Sequence, residues 1–279
     1  MVCPARQILR CDVEAAHVTA GQQKDGTDRE IGGSMRMNNE YDNPKFFEEY
    51  AKMPRSKEGL DAAGEWHQLR RLFPPLQGKN VLDLGCGYGW HCRVSAEKGA
   101  RQVLGIDVSR NMIEEAKRRN MKSGIAYRVC GMEEYEYPEN MWDFVISNLA
   151  LHYIENIEQI FQKVHRTLKP NGIFLFNIEH PVFTAGVGQD WVYTKDGTPQ
   201  YWPIDHYFMP GARKTRFLGC DVVKQHHTLT QILMGLLNNG FSMEDVEEAE
   251  PPEEMMHIPV MADELRRPMM LLVKAIAKK

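Results

Sequence analysis

Residues 80–90 read Asn-Val-Leu-Asp-Leu-Gly-Cys-Gly-Tyr-Gly-Trp, and they decide the fold of this chain. A short apolar strand carries an acid, Asp83, and runs into a turn with glycines at Gly85, Gly87 and Gly89. Glycine permits positive φ angles and lets the backbone approach a ligand closely. A helix-like segment follows, and the N-terminus of a helix directs free N–H groups at such a ligand. The stretch therefore predicts a strand, a ligand-binding turn and a helix.

A second acid stands at the end of the next predicted strand, where Gln102–Ile106 runs into Asp107. A carboxylate at that place suits a ribose, because both ribose hydroxyls can donate to it. The dinucleotide fingerprint needs a third glycine where this chain has Trp90, and the carboxylate of Asp83 would repel a pyrophosphate. Asp83 suits a ligand that carries an ammonium group. The pattern therefore favours a cofactor that has a ribose and an amino group but no phosphate.

With these residues the sequence resembles the class I S-adenosylmethionine-dependent methyltransferases, whose first motif is an acid followed by three alternating glycines. The motif here is Asp83-Leu-Gly85-Cys-Gly87-Tyr-Gly89, and the similarity is greatest to the ubiquinone/menaquinone-biosynthesis-like group of small-molecule enzymes. The resemblance implies S-adenosyl-L-methionine as cofactor and S-adenosyl-L-homocysteine as product. It implies methyl transfer to an O, N or C nucleophile of a small molecule by in-line displacement. It also implies an α/β fold, a Rossmann-like seven-stranded, mostly parallel sheet with helices on both faces.

The alternation of apolar and amphipathic segments fits such a sheet. The predicted strands are Val81–Leu84, Gln102–Ile106, Ile125–Cys130, Phe144–Ser147, Gly172–Asn177, Phe241–Glu248 and Met269–Ala275. The predicted helices are Tyr41–Ala51, Gly59–Phe73, His91–Glu97, Arg110–Met121, Ile157–Leu168 and Thr228–Asn238. Connections of this length allow right-handed crossovers, so the first five strands should be parallel. The resemblance implies that the last strand enters antiparallel beside strand six.

Three segments of different composition divide the chain. Residues 1–34 are polar and predict a disordered or added leader, with a short helix at Val13–Ala20 as the alternative. Residues 35–78 carry the helices that, in relatives, fold over the cofactor as a lid. Residues 79–279 are expected to form the methyltransferase domain.

An aromatic-rich insertion is expected after strand five, at about residues 180–222, and should contribute to the substrate site. Its aromatic residues could line a pocket or form the core of the insertion. Within it, Lys195-Asp196-Gly197-Thr198 places Asp-Gly between two aromatic runs, which predicts a hairpin.

Composition excludes several classes of partner. The 279 residues carry a net charge of −4 with a pI near 6.2 and show no basic stripe, so no nucleic acid is expected as partner. No apolar run is long enough to span a bilayer and no secretory signal is evident, so we expect no membrane association and a cytoplasmic protein. The six cysteines show no C-x-x-C spacing, so no zinc site or disulfide framework is expected. Either a monomer or a homodimer is compatible with the sequence.

The resemblance assigns cofactor roles to residues in four loops. Asp83, Gly85, Cys86 and Gly87 would bind the methionyl tail, Asp107 the ribose, and Val108 and Met112 the adenine; Met132 and Glu133 would bind the adenine edge, and Asn148 and Leu149 lie near the methionyl part. No metal is expected.

Two histidines are candidates for the catalytic base. His152 follows strand four at the carboxyl edge of the sheet, and His180 follows strand five before a proline. The pKa of histidine suits removal of a proton from an attacking hydroxyl or amine, although either ring could instead have a structural role. His226-His227 could form a metal pair, but a strand-to-helix junction fits better because no third ligand stands at helical spacing.

Two other functions remain compatible with the motif. A protein that binds S-adenosylmethionine without catalysis would have the same cofactor residues. An NAD-dependent oxidoreductase would use a similar turn, but Asp83 and Trp90 disfavour it. A nucleic-acid methyltransferase is disfavoured by the acidic charge balance and by Asn148-Leu149-Ala150-Leu151 after strand four.

Overall fold

The computed structural model describes residues 40–279. The predicted leader at 1–34 and residues 35–39 of the predicted lid lie outside the described residues. The α-helices are α1 Pro44–Lys52, α2 Pro54–Glu58, α3 Trp66–Leu72, α4 Trp90–Glu97, α5 Arg110–Asn120, α6 Ile157–Thr167, α7 Pro181–Thr184, α8 Leu229–Asn238 and α9 Pro259–Glu264. Short 3-10 helices occupy Glu40–Asp42, Gly59–Ala62, Leu151–Tyr153, Val187–Gln189 and Glu253–Met255. Within the described range, no helix is both long and apolar enough to cross a bilayer.

Residues 40–279 contain eleven strands, and seven of them form one sheet. The strands are β1 Asn80–Leu84, β2 Gln102–Asp107, β3 Ile125–Val129, β4 Trp142–Asn148, β5 Leu168–Glu179, β6 Val192–Tyr193, β7 Pro199–Tyr201, β8 Gly211–Phe217, β9 Cys220–His226, β10 Phe241–Glu248 and β11 Met270–Ala277. The order in the large sheet is β10-β11-β5-β4-β1-β2-β3. Strands β1 to β5 pair in parallel, and β11 runs antiparallel to both β5 and β10. The predicted sheet and the antiparallel last strand are confirmed.

The order of strands creates a crevice between β1 and β4. The chain runs outward from β1 to β3 and then returns to the other side of β1 with β4. Open α/β sheets bind ligands outside the carboxyl ends of their strands at such a reversal. The glycine turn after β1 and the loop after β4 meet there.

Helices cover both faces of the sheet, which gives the molecule two apolar cores. Val81 packs on one face with residues of α3, α4 and α5, and its neighbour Leu82 packs on the other with residues of α6 and α8. Successive residues of a strand point to opposite faces, so a strand covered on both sides reads as a continuous apolar run. This accounts for the apolar residues of β1 and β4.

The N-terminal region differs from its prediction in one helix. Asn43 caps α1 through its side chain, and Pro44 occupies the first turn as predicted. The predicted helix Gly59–Phe73 is wrong, because a 3-10 turn at Gly59–Ala62 and a bend around Gly64 precede the shorter α3. Glycine costs about 1 kcal/mol in a helix interior, so the chain breaks there.

The insertion after β5 contains two hairpins. β6 and β7 pair antiparallel around Asp196-Gly197, as predicted. β8 and β9 form a second hairpin that the sequence did not reveal. Its turn places Leu218 at φ +52° and Gly219 at φ +76°. Asn or Asp usually occupies the first of these positions, so the sequence at Leu218 does not predict a turn.

Candidate active site

The glycine turn joins β1 to α4 at the carboxyl edge of the sheet. Gly85, Gly87 and Gly89 have φ of +72°, +51° and +78°, a region in which other residues are strained. A Cβ on Gly85 would lie 2.4 Å from Cβ of Ala150, so glycine is required where the two loops meet. A Cβ on Gly87 would come within 4 Å of no neighbour from the described residues. The backbone at Gly87 therefore borders space that a ligand can fill.

Asp107 closes β2 beside this turn. One carboxylate oxygen accepts the backbone N–H of Gly87 and the other that of Ser109, both at 2.9 Å. Burial raises the pKa of Asp107 to about 6, and the charge of Asp42 adds to this, while the two N–H bonds oppose it. A carboxylate oxygen can accept more than one hydrogen bond. Asp107 is therefore held in a fixed orientation and can still accept from two ribose hydroxyls.

Asp83 lies fully buried under the turn. Sγ of Cys92 donates to its Oδ2 at 3.2 Å, whereas Oδ1 has no hydrogen-bond partner among residues 40–279. Burial raises the pKa of Asp83 to about 7, against the bond from Cys92. A buried carboxylate oxygen without a donor is costly, and an ammonium group would satisfy it. The pair Asp83 and Asp107 therefore fits a ligand with an amino group and a ribose.

The loop after β4 brings the predicted residues Asn148 and Leu149 to the crevice. Oδ1 of Asn148 accepts from Nδ2 of Asn177 at 3.0 Å, and the N–H of Leu149 donates to the carbonyl of Asn177 at 2.8 Å. Leu149 has φ of +54°, which is unusual for a branched side chain. β5 thus fixes the loop that approaches Gly85, and the cofactor roles of both residues stay predictions.

The adenine assignments rest on residues of differing exposure. Met112 and Met132 are buried, and Cε of Met132 lies 3.5 Å from the position of a Cβ on Gly85. Val108 is 55% exposed. Glu133 is exposed and lines a depression of about 480 Å³ that also contains residues 155–158 and Gln231. Its assignment to the adenine amino group, like the other three, stays a prediction. Cys86 is also buried.

The N-terminal segment contacts the loops at the crevice. The hydroxyls of Tyr41 and Tyr153 lie 2.9 Å apart. Oδ1 of Asp42 accepts from Oγ of Ser109 at 2.6 Å and from the backbone N–H of Asn111 at 3.1 Å. These contacts tie the start of the lid to the loop after Asp107 and to the loop after β4. The segment therefore contacts both sides of the crevice, and its role as a lid stays a prediction.

His152 occupies the short 3-10 helix after β4 and is 3% exposed. Its Nε2 lies 3.9 Å from Oε1 of Glu179, and its buried Nδ1 has no hydrogen-bond partner within the described part of the chain. Burial lowers the pKa of His152 to about 4 against the opposing charge of Glu179, and Lys224 and His227 lower it further. The ring is therefore neutral near pH 7. The carboxylate favours the proton on Nε2, which leaves the Nδ1 lone pair free to accept a proton.

Sequence reasoning missed two charged residues beside His152. Glu179 ends β5 and Lys224 lies in β9; both are buried. Nζ of Lys224 donates to Oε1 of Glu179 and lies 3.3 Å from Oε1 of Gln189. Burial raises the pKa of Glu179, but its neighbours His152, Lys224 and Arg267 outweigh this effect and hold that pKa below its usual value. Glu179 could have been identified as an acid at the end of strand five. Lys224 could not, because the β8–β9 hairpin that carries it was not predicted from the sequence.

The second catalytic candidate, His180, has a structural role. It follows Glu179 directly in extended chain, so the two side chains point to opposite faces. Nδ1 of His180 accepts the backbone N–H of Val182 at 3.0 Å and caps α7. Its Nε2 lies 3.0 Å from the carboxylate of Glu248. Nε2 makes no hydrogen bond within the described residues despite this approach, so the geometry shows a helix cap, and the predicted catalytic role of His180 stays a prediction.

The histidine pair 226–227 lies at a strand-to-helix junction, as preferred from the sequence. Nδ1 of His226 is 2.7 Å from Oγ1 of Thr184, and its Nε2 is 2.8 Å from the carbonyl of Tyr207. Nε2 of His227 is 2.9 Å from the carbonyl of Ile154. Among residues 40–279, no group of three His, Cys, Asp or Glu side chains is arranged to hold a metal ion. The pair joins the insertion to the loop after β4.

Comparison with known proteins gives one consistent result. The profile of the methyltransferase domain family matches residues 82–176. A solved structure proposed to be an S-adenosylmethionine-dependent methyltransferase, from Listeria monocytogenes, is 47% identical with a TM-score of 0.76; the match covers 79% of this chain and all of that one. An S-adenosylmethionine-dependent methyltransferase from Mesorhizobium loti is 41% identical with a TM-score of 0.72, over 78% of this chain and all of that one.

A curated relative with a named function matches over part of its length. The demethylmenaquinone methyltransferase of Symbiobacterium thermophilum is 26% identical over 141 residues, which cover 47% of this chain and 56% of that protein. The chain thus spans just over half of that relative. The two solved structures, in contrast, are matched over their full length.

Proposed function

The chain belongs to the S-adenosylmethionine-dependent methyltransferases, and we propose that it methylates a small-molecule acceptor bound beside His152. The observation that carries the proposal is the unpartnered oxygen of Asp83 next to the fixed carboxylate of Asp107. No other atom from residues 40–279 satisfies that oxygen. The acceptor of the demethylmenaquinone methyltransferase supports a small molecule as the substrate of this chain.

The residues of the glycine turn would hold the cofactor. Asp83 would bind its amino group, the backbone of residues 85–87 its methionyl tail, and Asp107 its ribose hydroxyls. When bound, S-adenosylmethionine supplies an electrophilic methyl group, and its sulfur keeps the C–S electron pair as the product S-adenosylhomocysteine forms. The chain needs only to hold the acceptor in line with that methyl group and to exclude water. Alignment of this kind can account for about 7–11 kcal/mol of the barrier.

His152 is the group that we propose to accept the acceptor's proton. As the nucleophile bonds to the transferred methyl group, its proton passes to Nδ1 of His152. The carboxylate of Glu179 beside Nε2 then stabilises the imidazolium. The contact of Tyr41 with Tyr153 closes this side of the crevice to solvent. A positioned base typically contributes ~10²–10⁴-fold to the rate.

The experiment measures tritium transfer from methyl-labelled S-adenosylmethionine to a library of small acceptors. Because burial lowers the pKa of His152 to about 4, His152 is a weaker base than one whose pKa lies near the working pH. We therefore expect His152→Gln to lower kcat by about tenfold or more while the Kd of S-adenosylhomocysteine stays within about twofold of wild type. His180→Asn is the matched control, because asparagine can cap α7 in its place, and it should retain the rate.

Two results would count against the proposal. A protein that binds the cofactor without catalysis would give no acceptor-dependent transfer, although it would bind S-adenosylhomocysteine. Equal rates for wild type and His152→Gln would remove the base from the mechanism and leave alignment alone. The NAD-dependent alternative does not apply to a member of this family.

A further inference from the structure

Lys224, Glu179, Gln189 and His152 form a cluster in which several hydrogen bonds are not made, and the atoms left without partners indicate what the cluster binds. Lys224 and Glu179 are 4% and 8% exposed, and the single ammonium of Lys224 contacts both Glu179 and Gln189. Burial of charged and polar groups is costly unless their hydrogen bonds are made. In this cluster only some of them are made.

The free atoms of the cluster can be identified by their chemistry. Lysine only donates, so the atom of Gln189 that contacts Nζ must be its oxygen, and the amide nitrogen must point away. Within the described residues, that Nε2 has no acceptor and Oε2 of Glu179 has no donor. Nδ1 of His152 is the third unpartnered atom. The cluster therefore presents one donor, one carboxylate acceptor and one proton acceptor.

The charges of the cluster are already balanced. Glu179 is paired with Lys224, and Arg267 is paired with Glu264, with Nη1 2.8 Å from Oε2. A ligand that brings a net charge would therefore meet a like charge at short distance in a buried site. An ammonium group would face Lys224 and Arg267, and a carboxylate would face Glu179. An uncharged ligand meets neither penalty.

Aromatic rings flank the same ammonium. Nζ of Lys224 lies 5.7 Å from the ring centroid of Phe183 and 5.3 Å from that of Phe217. Both rings belong to the insertion, on α7 and β8. Phe183 already stacks on Trp202 and lies beneath Arg267, so these rings supply an apolar wall beside the free atoms and not an open stacking face.

We propose that Glu179 and Gln189 bind an uncharged donor–acceptor group of the carboxamide type, so that the acceptors are neutral hydroxyl compounds bearing such a group. The N–H of that group donates to Oε2 of Glu179, and its carbonyl accepts from Nε2 of Gln189. The reactive hydroxyl donates to Nδ1 of His152. This assignment rests on the proposed function, because it names the acceptor of the same reaction.

The test uses three phenols that share the 2-hydroxyphenyl ring and differ in the charge and the hydrogen-bonding atoms of one ortho group. These are 2-hydroxybenzamide, 2-hydroxybenzoate and 2-(aminomethyl)phenol, which carry a neutral amide, a carboxylate and an ammonium group. Tritium transfer from labelled S-adenosylmethionine is measured for each with the full-length protein. We expect kcat/KM to be at least about tenfold higher for the amide than for either charged compound, because each good hydrogen bond to a charged group contributes that factor or more. Preference for a charged compound, or no transfer to the amide, would overturn the proposal.

Two variants tie the preference to the named residues. Gln189→Asn retracts the amide by one methylene and tolerates the φ of +50° at this position; KM for 2-hydroxybenzamide should rise roughly three- to tenfold. Glu179→Gln removes the carboxylate and leaves Lys224 unbalanced, so the preference should shift from the amide towards 2-hydroxybenzoate. If Glu179→Gln fails to fold, the double variant Glu179→Gln with Lys224→Met removes both charges. That variant should lose the discrimination between the three compounds.

Cofactor binding separates the failure of this inference from failure of the proposed function. Wild type and all variants are titrated with S-adenosylhomocysteine, whose proposed binding residues include none of Glu179, Gln189 and Lys224. Unchanged affinity together with an unchanged acceptor preference in Glu179→Gln would overturn only the acceptor assignment. Absence of binding in wild type would overturn the proposed function itself.

Discussion

Replacement of Asp83 by asparagine is the most informative single change, because the structure predicts opposite effects on cofactor binding and on stability. An ammonium group binds the ionised carboxylate, and burial raises the pKa of Asp83 to about 7. Below that pH the carboxyl is protonated and cannot bind a cation. The Kd of S-adenosylhomocysteine should therefore weaken by about tenfold between pH 8 and pH 6, since a one-unit step below a pKa costs a factor of ten. The variant should bind about tenfold or more weakly at pH 8, and its Kd should vary much less with pH.

Asp83→Asn should weaken cofactor binding but raise the free energy of unfolding of the ligand-free protein at pH 8. The pKa of Asp83 rises from 3.8 in the unfolded chain to about 7 in the folded protein. The folded state therefore holds more protons between these values, and its stability falls as pH rises through that window. A shift of about three units corresponds to up to about 4 kcal/mol at pH 8. Asp83→Asn carries no charge, so without ligand it should be more stable than wild type at pH 8 and no more stable near pH 4.

Urea unfolding at pH 4.5 and pH 8, with calorimetric titration across pH 6–8, measures both effects. Asp143→Asn is the matched control. Asp143 lies at the opposite end of the sheet, where its Oδ2 accepts from the N–H of Asn80 and from Nζ of Lys169. That variant should lose stability and keep its affinity. A pH-independent affinity in wild type, or an Asp83→Asn protein less stable than wild type at pH 8, would refute the reasoning.

Two further predictions concern the turn and the lid. Gly85→Ala should lower the free energy of unfolding by about 2–5 kcal/mol, because it combines a strained φ with a contact of 2.4 Å to Cβ of Ala150. Gly87→Ala should lower it by only about 1–2 kcal/mol yet weaken S-adenosylhomocysteine binding at least tenfold. The reverse ranking in urea unfolding and calorimetry would contradict this geometry. Asn43→Ala removes the cap of α1 and should lower the local stability of that helix by about 1 kcal/mol. Amide hydrogen exchange in residues 44–52 should then be faster than in wild type. Unchanged exchange would show that the cap does not hold the N-terminal helix in place.

The residues predicted best from the sequence are those whose structure is determined by their immediate neighbours in the chain. The apolar runs of β1 and β4 and the positive-φ glycines of the turn are determined within a few residues, so their pattern is readable. Asp83 and Asp107 stand at fixed offsets from that turn, and the structure places both beside it. The parallel pairing of the first five strands followed from the rules for crossover connections, and the antiparallel last strand followed from the resemblance.

The residues that the sequence did not reveal depend on long-range contacts. Lys224 reaches Glu179 only because the β8–β9 hairpin folds over the end of β5, and its turn lacks the usual signal at Leu218. The helix-capping contact of His180 was not predicted, because it depends on where β5 ends and α7 begins. The direction of the His180 side chain and its capping of α7 could not be predicted, because the sequence does not show at which residue β5 ends.

Titration of the wild-type protein and of Asp107→Ala with S-adenosylhomocysteine tests the central claim most directly. In the proposed site Asp107 accepts from two ribose hydroxyls, and each hydrogen bond to a charged group contributes about 1.5–3 kcal/mol. We predict saturable binding to wild type and at least about a hundredfold loss of affinity in Asp107→Ala, which also frees the backbone N–H of Gly87. Absence of binding in wild type, or equal affinity in the variant, would contradict the assignment of this turn as the cofactor site.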